Sequence, residues 1–282
     1  MRPVAFLAVI VALCPTIAAA QTCEPATDSF EAEIFGVRSL SLAMGRAAAI
    51  AADRPWTIRS GAEAVLLPNI NENQTPACRS DKQGENVNIL PVAGRARIAV
   101  ALPGRFSLDV SWLPPVTLRG VQGNVIGVAL GHAHPLSPVL TLGVRAHATV
   151  GHVTGPFTCG EDEVQDSANS VCYQGTVSSD RLEPNVLGGD ITLGWVPSAS
   201  RYAWYAGGGY SHLTPRFQVH FVDRNGILDK LQVRLDLNRV ALFGGVSRAI
   251  GARWRASAEV YATTQDGATA RVAFDGIIRQ GK

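Results

Sequence analysis

The stretch Arg105-Phe-Ser-Leu-Asp-Val-Ser-Trp112 decides the fold. Phe106, Leu108, Val110 and Trp112 fall on one side of an extended chain, and Arg105, Ser107, Asp109 and Ser111 on the other. Successive side chains of a strand point to opposite faces, so this segment has one apolar and one polar face. Such a strand can line a barrel whose outside meets lipid and whose inside meets water. A soluble β-sandwich also alternates, but its charged face would lie outside and its strands would be shorter.

The alternation recurs on both sides. Upstream, Arg95 and Arg97 oppose Ala96, Ile98, Val100 and Leu102, and Pro103-Gly104 turns the chain. Downstream, Gln122–Ala133 leads through the turn His134–Pro138 into a strand with Leu140, Leu142, Val144, Ala146 and Val150 opposite Thr141, Arg145, His147 and Thr149. Thr154–Pro184 reads as a long loop. Leu187, Ile191, Leu193 and Trp195 then face away from Asp190 and Thr192, and the turn Pro197–Ser200 precedes Tyr202–His212. Leu213–Lys230 reads as a second long loop with a hairpin near Asp223-Arg224-Asn225-Gly226. In Gln232–Val246 the alternation slips phase near Asn238-Arg239, which predicts a β-bulge. Trp254–Thr263 and Ala268–Ile278 form a final hairpin through Asp266-Gly267, and Thr57–Leu67 adds a first strand.

About ten strands of roughly 9 to 13 residues result, near the length that crosses a bilayer at a tilt. Tight turns alternate with longer loops, as in bacterial outer-membrane barrels. Trp112, Trp195, Tyr202, Trp204 and Trp254 near strand ends suit an interfacial girdle. The predicted fold is all-β, an antiparallel transmembrane barrel with an N-terminal segment that could plug it.

Met1–Ala20 reads as a signal peptide: Arg2, the apolar run Phe6–Leu13, and Ala18-Ala19-Ala20 before Gln21. That run is too short to span a bilayer as a helix. Leu13 stands where lipid attachment to Cys14 would want a small residue. Export with cleavage near Ala20 leaves residues 21–55 as an N-terminal segment and 56–282 as the barrel. The composition agrees, with 28 Gly among 282 residues and only 17% charged residues. A net charge of +2 gives no footing for nucleic acid.

Cys23, Cys78, Cys159 and Cys172 remain after cleavage, an even count that suggests disulfides in an oxidising compartment. Cys159 and Cys172 bracket one polar loop and suit a local bridge; Cys23–Cys78 follows by elimination. No metal-site spacing is present.

Glu31 to Pro55 departs from the strand pattern. Ser39 could cap a helix through Leu40, Leu42, Ala43, Ala47 and Ile50 that stops before Pro55; a leader or one more strand is the alternative. Gly36-Val37-Arg38-Ser39-Leu40, Met44-Gly45-Arg46-Ala47 and Ala52-Asp53-Arg54-Pro55 occur in that order. This run resembles the opening of the FadL-like and PorV-like outer-membrane barrels, with two extra residues before Met44 and without the Asn-Pro-Ala-Gly that follows there. The resemblance implies a chain end inside the lumen and movement of small hydrophobic molecules. A Cys23–Cys78 bridge would support it, because Cys78 lies in the first outer loop. Outer-membrane barrels also resemble one another in ending on an aromatic residue, whereas this sequence runs Ile278-Arg279-Gln280-Gly281-Lys282.

The polar face assigns Arg59, Arg95, Arg97, Arg105, Arg145, Arg201, Arg253, Arg255 and Arg271 to the lumen, against Glu63, Asp109, Asp190, Glu259 and Asp275. In a narrow barrel these charges can pair and close the lumen. The arginine surplus alternatively suits a path for anions. Glu161, Asp162, Glu163 and Asp166 cluster in one loop without the spacing of an EF-hand, which reads as a solvated loop.

Catalytic motifs are absent, and Ser211 and His212 are adjacent on one strand and so point apart. The sequence thus leads to passive transport of small molecules, hydrophobic ones if the resemblance holds, with neither catalysis nor cofactor nor metal. The expected partners are outer-membrane lipid, the barrel-assembly machinery and an unidentified solute. A closed barrel acting through its outer loops, or a soluble periplasmic ligand-binding β-protein, are the alternatives.

Overall fold

In a computed structural model the described residues are 21–46, 48, 53–70, 76–78, 88, 90–166 and 170–281. Met1–Ala20, where the sequence leads one to expect a signal peptide, lies outside them. Among the described residues ten strands close into one antiparallel barrel. They are β1 (Ile58–Leu66), β2 (Val92–Leu102), β3 (Phe106–Leu113), β4 (Val121–Pro135), β5 (Leu140–Gly155), β6 (Val186–Trp195), β7 (Tyr202–Leu213), β8 (Leu237–Ile250), β9 (Trp254–Thr263) and β10 (Gly267–Arg279). Each pairs with its sequence neighbours, and β10 closes on β1 from Ala270 opposite Leu66 to Arg279 opposite Ile58. Closure removes the unpaired edges that an open sheet would leave.

The outside is apolar. Ile98, Val110, Ile126, Leu130, Leu187, Ile191, Val240, Leu242, Val260 and Val272 are exposed around the circumference. An apolar belt of this extent on a closed barrel is a face for lipid. Trp195, Tyr202, Trp204 and Trp254 sit at the tight-turn end, and Trp112 at the opposite end. Trp254 stacks on Phe274 with 5.2 Å between ring centroids. It also covers Gly276, where a Cβ would come within 2.4 Å of the indole.

At the long-loop end the barrel sheet carries an extension of short strands. Val153–Gly155 of β5 continues past the barrel to pair with Asp180–Glu183, then Arg216–Gln218, Gln232–Arg234 and, in parallel, Thr22–Cys23. The two expected long loops therefore carry ordered strands, and Phe221–Val222 with Leu228–Asp229 forms the hairpin near Asp223–Gly226. Asp180, fully buried, accepts from Thr158 N–H at 2.6 Å, Ser178 Oγ at 2.7 Å and His220 N–H at 2.8 Å. Burial pushes its carboxyl above the usual range.

The bulge expected near Asn238-Arg239 is not there. β8 pairs with β7 in unbroken register from Leu237 to Arg248. Leu231, Val233, Leu235, Leu237, Arg239, Ala241 and Phe243 are all buried, so the geometric alternation never slips. What changes is the interior, apolar at the rim and polar deeper in. The hydrophobic pattern shifts while the backbone continues.

That apolar interior is packed by helix α1 (Phe30–Leu42). Ser29 caps it, accepting Ala32 N–H at 3.2 Å, and Glu31 and Glu33 occupy the first turn. The helix is buried almost all round, with Phe30, Ile34, Phe35, Val37 and Leu40 against Leu182, Leu213, Phe217, Val233, Leu235 and Leu237. Ser39 is therefore not a cap but a buried residue near the helix end. A helix enclosed on every side has no amphipathic period to mark its ends, so the sequence pattern places its start too late. Ala43–Arg46 is not helical, and residues 47 and 49–52 lie outside the described ones.

Both disulfides are formed, Cys159–Cys172 and Cys23–Cys78. The second links positions 55 residues apart and holds the start of the chain against the first outer loop. Replacing both Cys23 and Cys78 by serine is expected to lower the unfolding free energy by about 4 kcal/mol on loop-closure entropy. Urea unfolding followed by tryptophan fluorescence measures it; a midpoint unchanged from the parent protein would show that the plug and rim hold without the link.

Candidate functional site

The lumen of the barrel is occupied by α1 and by the chain that leaves it. The last carbonyls of a helix lack intrahelical donors and carry partial negative charge. Here arginines of the barrel wall supply the donors. Arg271 Nη2 donates to Leu40 O at 2.9 Å, and Arg95 to Ser41 O at 3.1 Å, Leu42 O at 3.2 Å and Ala43 O at 3.3 Å. Arg145 donates to Met44 O at 3.1 Å and to Gly45 O at 2.8 Å, and Arg97 to Gly45 O at 3.1 Å. Gly45 is needed here, since a Cβ would lie 1.9 Å from Arg271 Nη1.

The acids hold the same arginines from the wall side. Glu63 lies opposite Arg95 across β1–β2, at 3.4 Å, and accepts a hydrogen bond from Arg97. Asp190 lies opposite Arg145 across β5–β6, at 2.7 Å, and also accepts Arg46 Nε at 2.7 Å. Asp109 is 3.7 Å from Arg97. Glu259 accepts the Tyr205 hydroxyl at 3.0 Å and faces Arg271 at 4.0 Å. Nearer the tight-turn end, Asp275 pairs with Arg255 at 3.0 Å and Arg59 at 3.2 Å, and Arg59 with Asp53 at 2.7 Å. Several of these are cross-strand neighbours, so register alone brings them together.

Arg105, Arg201 and Arg253 are placed differently from the sequence assignment. All three lie in the tight turns and are exposed. The two-residue period ends with the strands, and a turn residue has no face. Sequence reading also passed over Arg46, Asp53, Tyr205, Arg239 and Asp266. Arg239 and Asp266 pair at 2.7 Å beside Gly36, where a Cβ would meet Asp266 Oδ1 at 2.7 Å, so α1 passes close over that pair. The phase slip at Asn238-Arg239 was the one signal for Arg239. Ser211 is buried, whereas His212 reaches Asn238 Oδ1 at 3.1 Å, so the two do not form a pair. Glu161–Asp166 forms a short helix, and no group of three or more potential metal ligands occurs among the described residues.

Toward the long-loop end, α1 and the wall leave a cavity of about 260 Å³. Ile34, Phe35 and Leu42 of the helix form one side, and Ala93, Leu113, Val121, Val153, Leu182, Phe217 and Val233 the other. The lining is overwhelmingly apolar; Glu31 and Arg38 are its charged members. β3 ends at Leu113, short of β2 and β4, and Val116 and Leu118 of the following loop border the cavity there.

No family model matches the chain, and no curated protein matches it. Solved structures are similar at low identity. The toluene transporter TodX of Pseudomonas putida is 10% identical over 80% of this chain and 69% of its own, with a TM-score of 0.34. The KdgM porin is 8% identical over 79% of this chain and 99% of its own, with a TM-score of 0.30. Omp33 of Acinetobacter baumannii is 8% identical over 79% and 98%, with a TM-score of 0.29. The barrel's own closure and apolar belt carry the fold, not these likenesses. The N-terminal resemblance to FadL-like and PorV-like barrels rests on its motifs alone.

Proposed function

We propose that this chain is a non-enzymatic outer-membrane barrel that binds small apolar molecules at its outer end and passes them inward passively, with residues 21–55 as plug and 56–282 as barrel. The observation that carries the reading is the apolar cavity between α1 and the wall. Concave, mainly apolar sites with a few polar groups are where small ligands bind. In this reading the signal peptide is removed near Ala20, the barrel-assembly machinery inserts the chain, and the belt meets outer-membrane lipid. The ion pairs hold the plug rather than conduct anions.

Naphthalene tests the cavity. Ala93→Trp places an indole among its lining residues, and an overpacking cost of about 1–3 kcal/mol corresponds to binding roughly 5- to 150-fold weaker. Equilibrium dialysis of the detergent-solubilised protein should show that loss, while the heat-dependent shift of the folded barrel on a gel is retained. Absence of naphthalene binding to the native protein would refute the reading. The gripped plug and paired lumen charges favour a second reading, a closed barrel acting through its outer rim. Naphthalene uptake into vesicles carrying the protein no faster than into protein-free vesicles would select it.

A further inference from the structure

Glu31 is the anomaly of the apolar cavity. It lines the space yet is only 4% exposed. A carboxylate in the first turn of a helix is favoured by the dipole, and half-buried Glu33 already meets that condition without entering the cavity. Cys78 N–H donates to Glu31 Oε1 at 2.7 Å, a contact placed by the Cys23–Cys78 bridge. Oε2 is buried and has no hydrogen-bond partner among the described residues. Leaving a buried carboxylate oxygen unpaired is costly, and one that borders an apolar cavity calls for an explanation.

We propose that the cavity selects apolar molecules carrying a neutral hydrogen-bond donor, a hydroxyl on an aromatic or alicyclic body, which Glu31 Oε2 accepts. The inference rests on the reading of the cavity as a binding site and names what it prefers. Three features define the ligand. The apolar lining requires an apolar body. The carboxylate requires a donor and repels an acid. Arg38, two helical turns further along α1, lines the same cavity with positive charge and disfavours an ammonium group. Its Nη2 donates to Asn88 Oδ1 at 3.0 Å, and Asn88 in turn holds Ile70 through both backbone groups. Arg38 and Glu31 thus each tie the first outer loop to the helix around the cavity.

The test compares 1-naphthol, 1-methoxynaphthalene and naphthalene on the full disulfide-bonded protein by equilibrium dialysis. All three share the ring system, and only naphthol can donate. Naphthol should bind about tenfold more tightly than the methyl ether, as expected for a hydrogen bond to a charged acceptor. In Glu31→Ala that preference should collapse toward unity while naphthalene still binds. Glu31→Gln keeps the shape should the alanine variant fail to fold, and should reduce the preference severalfold. Equal binding of naphthol and its ether to the native protein, with naphthalene bound, would overturn the donor selectivity and leave the apolar site standing. A preference that survives both substitutions would overturn the role of Glu31. Failure of the native protein to bind naphthalene would bring down both readings.

Discussion

Glu63→Ala is expected to destabilise the barrel by about 3–5 kcal/mol, the cost of removing one partner from a buried ion pair. Glu63 is 2% exposed and faces both Arg95 and Arg97. Without it, Arg95 keeps, among the described residues, backbone carbonyls of the plug, and Arg97 keeps Gly45 O at 3.1 Å and Asp109 at 3.7 Å. Neither guanidinium can reach bulk water from inside the wall. The urea midpoint of the refolded barrel in lipid vesicles measures the loss. Arg181→Ala provides the contrast, since the Arg181–Glu183 pair at 3.0 Å is exposed and should contribute less than about 1 kcal/mol. Equal midpoints for the two variants would contradict the buried network as the element that holds the lumen.

Replacing both Arg95 and Arg145 by alanine should loosen the plug without unfolding the wall. On the wall Glu63 retains Arg97; Asp190 retains Arg46 while the plug is docked and meets the water of the opened lumen once it leaves. The plug loses donors to the carbonyls of Ser41, Leu42, Ala43 and Met44, and one of the two on Gly45. Hydrogen bonds from charged donors contribute roughly 1.5–3 kcal/mol each, so the docked plug should become a minor state. In planar bilayers the native protein should be electrically silent or nearly so, and the double variant should open with ion-sized steps. A variant as silent as its parent would mean that the apolar packing of α1 at the rim closes the lumen by itself.

The acids and bases of the lumen could be counted from the sequence, but their balance could not be interpreted there. The surplus of arginine looked like a preference for anions. In the folded chain Arg95, Arg97, Arg145 and Arg271 face backbone carbonyls of the plug, and carbonyls are invisible to a tally of charged side chains. Cross-strand pairs such as Arg145–Asp190 were within reach of sequence reasoning, because turns set the register that aligns them. Arg46–Asp190, by contrast, depends on where the plug docks, 144 positions away in the chain.

What the sequence by itself determined is the wall. Lipid outside and polar groups inside impose a two-residue period, and the period is legible because each face has one chemistry over the whole crossing. Where the interior turns apolar and the outside polar, as along Leu231–Leu237, the same alternation inverts its hydrophobic contrast and reads as a slip. A helix buried on all sides, such as Phe30–Leu42, has no contrast to lose. The plug, the grip on its carbonyls and the cavity with Glu31 were decided only by tertiary structure. They are contacts between segments whose local patterns carry no record of what they touch.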